Sequence, residues 1–198
     1  MALQRRWPMV LGILVGLAAL LLGLKSGADT IEGWRLAARW TARVGFPIFI
    51  LTYSASSLGR LWYNDVTRTV WRDRRWWGLG FFASHTIHLF ALVTFLRLSG
   101  EGRPLPVLIG GGFGYVLLFA MAATSSNAAM RALGHNWKRL HSFGIHYLWF
   151  IFAFSYLGRI MKPESMMTGL VGFGIALAAL GLRIAAWLKG RNRTAAAA

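Results

Sequence analysis

Apolar runs of about twenty residues dominate this sequence. A helix of that length spans a hydrocarbon core of about 30 Å. Charged residues make up only 14% of the chain, whereas a soluble domain has roughly a quarter. The pattern predicts an all-α integral membrane protein, a six-transmembrane-helix bundle that forms a single domain over residues 1–198. The predicted spans are about 8–24, 43–62, 76–97, 105–124, 137–158 and 166–188.

The first apolar run follows a short basic segment, as it would in a signal peptide. Its stretch PMVLGILVGLAALLLGL is longer than the apolar core of a signal peptide, and the following LKSGADT is a poor cleavage site. We therefore expect a retained span. The segment 31–40, IEGWRLAARW, is predicted to be a short interfacial helix that leads into the second span.

The net charge of +16 is spread over the segments between the apolar runs. Most of the 22 lysines and arginines fall near the two termini, after the second run and after the fourth run. By the positive-inside rule these segments are cytoplasmic, so both termini are expected there. Because the charge does not gather on one face of a folded domain, nucleic-acid binding is not expected. The absence of cysteine excludes disulfides and cysteine-ligated iron–sulfur clusters.

Four of the five histidines lie inside two of the apolar runs. His85 and His88 belong to the third run and His141 and His146 to the fifth, while His135 lies in the preceding loop. Ionisable side chains in membranes are costly and generally face the interior of a bundle, where they mark a site. Hydrogen bonding across helices would account for one such histidine, but four on two spans indicate a function.

Helical geometry places these imidazoles at comparable depths. His85 and His88 are three residues apart and share one helical face. Counted at 1.5 Å per residue from the tryptophans that open the two spans, His85 and His88 lie about 14 and 18 Å deep, and His141 and His146 about 6 and 14 Å deep. Two imidazoles at one depth on facing helices are the ligands that a membrane-buried b-type haem needs.

Two other interpretations of the histidines stay open: a histidine-lined carrier of metal ions or protons, and a haem-free membrane scaffold subunit. A divalent cation in lipid would require carboxylates, but all six acidic residues fall outside the apolar runs. Haem requires none, because its propionates are anionic and bind basic side chains. Candidates for these contacts lie at the start of both histidine-bearing spans: Arg74, Arg75, Arg131, Lys138 and Arg139.

Two stretches, RRWWGLGFFASHTIHLFAL and ATSSNAAMRALGHNWKRLHSFGIHYLW, resemble the ferric reductase-like transmembrane domain family. Within it, the likeness is to the haem-binding membrane subunits of bacterial methionine sulfoxide reductase systems. The first stretch places His88, and the second His141, in register with family histidines. Together the two stretches make up about a quarter of the chain, and the second predicted span is weakly similar as well.

The resemblance implies a multi-pass b-type cytochrome of the bacterial inner membrane, an electron-transfer subunit of an oxidoreductase with no catalytic residue assigned. Its electrons would come from quinol or a cytoplasmic flavin reductase. They would pass to an extracytoplasmic acceptor, such as a periplasmic reductase. Membrane lipid and these proteins are the expected partners, and quinone or FMN stays open as a further cofactor.

One position departs from the family pattern. The family carries a second histidine thirteen residues after the one aligned with His141, and this chain has Phe154 there. We therefore expect one haem, ligated by His85 or His88 together with His146. His141 is then an alternative ligand or a propionate contact. A second haem, with His141 as one ligand, stays open.

Overall fold

The computed structural model describes residues 6–195, with side chains through residue 192. Within that range the chain is helical and contains no strand, which confirms the predicted all-α class. A short 3-10 helix, Pro163–Ser165, precedes the last helix. The helices are α1 Trp7–Ser26, α2 Thr30–Leu61, α3 Asp65–Arg72, α4 Arg74–Ser99, α5 Leu105–Ala123, α6 Asn127–Leu133, α7 His135–Ile160 and α8 Met166–Ala195.

Four helical segments of the described chain are long and apolar enough to cross a membrane. They are α1, α4, α5 and the segment Pro163–Asn192, which contains most of α8. Each coincides with one of the predicted apolar runs. The two remaining runs fall in α2 and α7, helices of 32 and 26 residues that are less apolar over a membrane-spanning length. Six spans with both termini in the cytoplasm therefore stay a prediction.

The segment 31–40 is part of α2 and not the separate interfacial helix that the sequence predicted. Its small residues Ala37 and Ala38 are buried with Ala91 of α4, and partly buried apolar side chains cover them. A Cβ at Gly23 of α1 would overlap the backbone of Ala37. This close packing keeps the segment helical and continuous with the rest of α2.

The two short helices α3 and α6 lie in polar segments, where the apolar pattern of the sequence did not predict a helix. The N-terminus of α3 is a capping box: Asn64 Oδ1 accepts from the Thr67 N–H at 2.9 Å, and Thr67 Oγ1 accepts from the Asn64 N–H at 3.1 Å. In α6, Ser126 Oγ accepts from the Ala129 N–H at 2.9 Å. Side-chain caps therefore stabilise α3 and α6, which directly precede the two histidine-bearing helices.

Contacts divide the chain into two compact units. The first contains α1, residues 30–49 of α2, and the chain from Arg75 to Ala122, which is nearly all of α4 and α5. The second contains Ile50–Arg74 and the chain from Ala123 onward, which includes α3, α6, α7 and α8. The single domain expected from the sequence stays a prediction.

In the first unit, α1 and α4 approach each other at small residues. A Cβ at Gly12 would overlap the backbone of Gly80, and a Cβ at Gly16 would lie 3.2 Å from the Ser84 Cα. Small residues at four-residue spacing allow two membrane helices to pack backbone against backbone. This contact holds α4, the helix that carries the first histidine pair.

In the second unit, α7 and α8 form a helical hairpin through the 3-10 helix. A Cβ at Gly172 would overlap the ring of Tyr156. The indole Nε1–H of Trp149 donates to the Ala176 carbonyl oxygen at 2.8 Å. Close packing and this hydrogen bond hold α7, the helix that carries the second histidine pair.

Candidate functional site

His88 of α4 is held by a threonine of α2. Its Nδ1 lies 3.1 Å from Thr41 Oγ1, and the same hydroxyl lies 2.7 Å from the Ala37 carbonyl oxygen. Since a hydroxyl has one hydrogen, which it donates to the carbonyl, Thr41 accepts the Nδ1–H of His88. This network assigns the Nδ1-protonated tautomer. The lone pair of the ring is then on Nε2, the form in which an imidazole ligates a metal.

His85, one turn earlier on α4, is packed between aromatic rings. Its ring stacks on Phe81 with centroids 4.9 Å apart and on Tyr115 with centroids 5.5 Å apart. It lies 4.9 Å from the ring of His88. A Cβ at Gly45 of α2 would lie 3.0 Å from His85 Nδ1, so the glycine lets α2 pass close to the imidazole. Stacking fixes the plane of His85.

His146 of α7 is exposed and is tied to its own helix. Its Nδ1 lies 2.6 Å from the Ser142 carbonyl oxygen. A carbonyl only accepts, so Nδ1 carries the hydrogen and the lone pair is on Nε2. The edge of its ring contacts Tyr53, with centroids 5.7 Å apart and planes at 77°. His146 therefore has the same tautomer as His88.

A cavity of about 600 Å³ opens along α7 beside His146. Two of the predicted propionate contacts, Lys138 and Arg139, line it. Both side chains are exposed. The remaining lining residues are His135, Ser142 and Phe143. This cavity combines two imidazoles with two cationic groups.

His141 is held by a different set of contacts. Its Nε2 lies 3.0 Å from Thr124 Oγ1, and its ring stacks on Trp137 with centroids 4.1 Å apart. The indole Nε1–H of Trp137 donates to the Thr124 carbonyl oxygen at 2.9 Å. Because Nε2 of His141 already has a hydroxyl partner, this imidazole is less suited than His146 to bind a metal through that nitrogen.

The three other predicted propionate contacts lie elsewhere. Arg74 and Arg75 open α4, where the guanidinium of Arg75 lies 5.5 Å from the ring centroid of Trp76. Arg131 lies on α6 and is exposed. Phe154, at the family position of the second histidine, is 62% exposed. Among the residues from 6 to 192, no three His, Cys, Asp or Glu side chains come together as a metal-ion site.

Three residues at the site were not predicted. They are Thr41 and Tyr53 of α2 and Arg183 of α8. Tyr53 is fully buried. Arg183 Nη1 donates to the Tyr53 carbonyl oxygen at 2.8 Å, and its guanidinium lies 4.5 Å from the Tyr53 ring centroid. The only sign in the sequence was that Arg183 lies inside the predicted span 166–188, and the charge pattern used it only to assign that end of the span to the cytoplasmic side.

Among curated proteins, the chain is similar to a protein-methionine-sulfoxide reductase heme-binding subunit, MsrQ, of Enterobacter sp. (strain 638). The two sequences are 34% identical over an alignment of 119 residues, and the match covers 52% of this chain and 56% of the relative. The match thus spans little more than half of either chain. No family model matches, and no solved structure gives a significant match. The similarity confirms the resemblance predicted from the two histidine-bearing stretches.

Proposed function

We propose that this protein binds haem in a membrane and transfers electrons as an MsrQ-like subunit of an oxidoreductase. The observation that carries the proposal is that His88 and His146 have the same tautomer, with the hydrogen on Nδ1. In each, an oxygen acceptor fixes the Nδ1–H, and the lone pair of the neutral ring is therefore on Nε2. Metal-binding histidines are oriented by such a hydrogen bond on the other ring nitrogen.

The chain supplies imidazoles for the iron and cationic side chains for the propionates, the groups that bind a b-type haem. His88 and His146 would hold the iron, with His85 and His141 as alternatives. Lys138 and Arg139 line the cavity beside His146 and would form charge-assisted hydrogen bonds with propionates. When bound, haem supplies a one-electron iron couple. The chain itself contributes the orientation of the imidazoles and the positive charge.

The route of the electrons is a further part of the proposal. We assign the protein to the bacterial inner membrane, with six spans and both termini in the cytoplasm. Quinol or a cytoplasmic flavin reductase would donate the electrons, and a periplasmic reductase would accept them. The name of the relative, a subunit of a methionine-sulfoxide reductase, supports a reductase partner. A second haem, quinone or FMN would be an additional cofactor.

A reduced-minus-oxidised difference spectrum of the full chain in detergent tests the proposal. After expression with added haem precursor, we expect the sharp bands of low-spin b-type haem and one haem per chain by pyridine haemochrome assay. A chain that folds, by circular dichroism, but shows no such bands would contradict haem binding. The carrier and scaffold interpretations would then take precedence.

Replacing Thr41 with valine is expected to weaken haem binding about tenfold, because loss of such an outer hydrogen bond commonly costs a factor of 10–100 in metal affinity. Valine has nearly the same shape but cannot accept the Nδ1–H of His88. The measurement is haem titration of the apoprotein, followed by absorbance. Thr94→Val is the matched control, since Thr94 Oγ1 also donates within its helix, to the Phe90 carbonyl oxygen at 2.9 Å. Equal affinities of the two variants would show that Thr41 does not position His88.

A further inference from the structure

A second cavity, of about 320 Å³, lies in the second unit between the C-terminal part of α2 and α8. Arg60 of α2 and Arg183 of α8 both line it, together with the hydroxyl side chains Ser56 and Ser57. His146 contributes to one wall. The cavity has about half the volume of the one beside Lys138, and none of its described lining residues is acidic.

The two arginines lack an acidic partner within the described part of the chain. The ion pairs formed there involve Arg35, Arg68, Arg72 and Arg103. Two guanidinium groups that share a cavity repel each other, and the repulsion increases where low-dielectric protein and lipid replace water. A bound anion would reverse this unfavourable interaction, so the charge distribution indicates an anionic ligand.

Arg183 is held in place for such a ligand. One of its N–H groups donates to the Tyr53 carbonyl oxygen, and its plane is supported by the buried Tyr53 ring. A guanidinium has five N–H donors in a fixed planar arrangement that matches phosphate and carboxylate oxygens. Nearby, Lys189 Nζ donates to the Leu61 carbonyl oxygen at 3.1 Å, which offsets the negative end of the α2 dipole.

The rim of the cavity indicates that the anion belongs to a lipid. Ile184 and Trp187 line the cavity and are 50% and 55% exposed. Both lie in a helix that is long and apolar enough to cross a membrane. Lys189 and Arg191 follow, and the guanidinium of Arg191 lies 4.8 Å from the ring centroid of Trp187. Tryptophan beside basic residues is typical of the headgroup level of a bilayer.

We propose that this cavity binds the phosphate of an acidic phospholipid through Arg60 and Arg183, with the acyl chains against Ile184 and Trp187. Basic pockets between membrane helices bind such headgroups. The site does not depend on haem. Bound lipid would stabilise the packing of α2 against α8 within the second unit, next to His146.

Native mass spectrometry of the full chain in detergent, with phosphatidylglycerol or phosphatidylcholine of identical acyl chains, tests this site. We expect one tightly bound phosphatidylglycerol and preference over phosphatidylcholine. Arg60→Gln combined with Arg183→Gln is expected to weaken phosphatidylglycerol binding about thirtyfold, because each basic side chain near a membrane surface contributes to the attraction and two are removed. Arg39→Gln combined with Arg43→Gln removes the same charge from exposed positions of α2 and is expected to change binding less than about threefold.

Several results would overturn the assignment. Equal losses of phosphatidylglycerol affinity in the two double variants would show that net charge, and not this cavity, causes the binding. Equal binding of phosphatidylcholine, or full displacement by millimolar inorganic phosphate, would exclude an acidic lipid. Loss of haem with unchanged lipid binding in the Arg60/Arg183 variant would instead make these arginines propionate contacts. If the double variant does not fold, Arg60→Gln alone is used, because Arg60 is exposed.

Discussion

Alanine at His88 or at His146 is expected to abolish the low-spin haem spectrum, the largest functional effect that we predict. Each substitution removes an imidazole whose Nδ1–H is fixed by Thr41 or by the Ser142 carbonyl. Without that imidazole, the protein would lack one of the two nitrogen ligands that low-spin haem needs. The measurement is the reduced-minus-oxidised spectrum of each purified variant, with haem content determined in parallel.

His135→Ala is the control, because His135 lines the cavity beside Lys138 but is not a proposed iron ligand, so its loss should leave the low-spin bands in place. His85→Ala and His141→Ala are expected to retain low-spin haem. Imidazole added to a folded His88→Ala or His146→Ala protein should restore the spectrum, which separates ligand loss from misfolding. If His141→Ala abolishes the spectrum and His146→Ala does not, the assignment on α7 is wrong. If neither substitution on α4 matters, that ligand lies elsewhere.

The positions of the long helices along the chain were largely predictable, because long apolar runs leave a chain in lipid few alternatives to helix. Four of the predicted runs coincide with helices able to cross a membrane. The error at 31–40 has a physical cause. Polar and charged residues in that segment indicated an interface, whereas its small residues pack closely in the first unit, with Ala37 against Gly23. Whether residues 31–40 continue α2 depends on packing partners that are distant in sequence, and local periodicity does not reveal these partners.

The candidate site was predictable in its residue types but not in its hydrogen bonds. Four histidines in two apolar runs were visible in the sequence. Thr41 lies 47 residues from His88 along the chain, and no spacing rule connects the two. Likewise, Arg183 and Tyr53 are 130 residues apart. Their meeting depends on how α2 and α8 pack, so the second cavity could not be inferred from charge patterning alone.

Leucine at Gly12 is expected to produce the largest loss of stability. Any side chain there would overlap the backbone of Gly80, and backbone cannot move aside as a flexible side chain can. Overpacking commonly costs about 1–3 kcal/mol and sometimes more, so we expect a decrease of about 3 kcal/mol in the free energy of unfolding. Reversible unfolding in mixed detergent micelles, followed by tryptophan fluorescence, measures the change.

Gly112→Leu is the matched control, because an added Cβ at Gly112 of α5 meets no atom within 4 Å and the position is exposed. It should unfold like the unmodified chain. Since α4 carries His85 and His88, a displaced α1 would also loosen the first histidine pair, and haem affinity should fall with stability in Gly12→Leu alone. Equal stability of the two variants would show that α1 and α4 are not in backbone contact at Gly12.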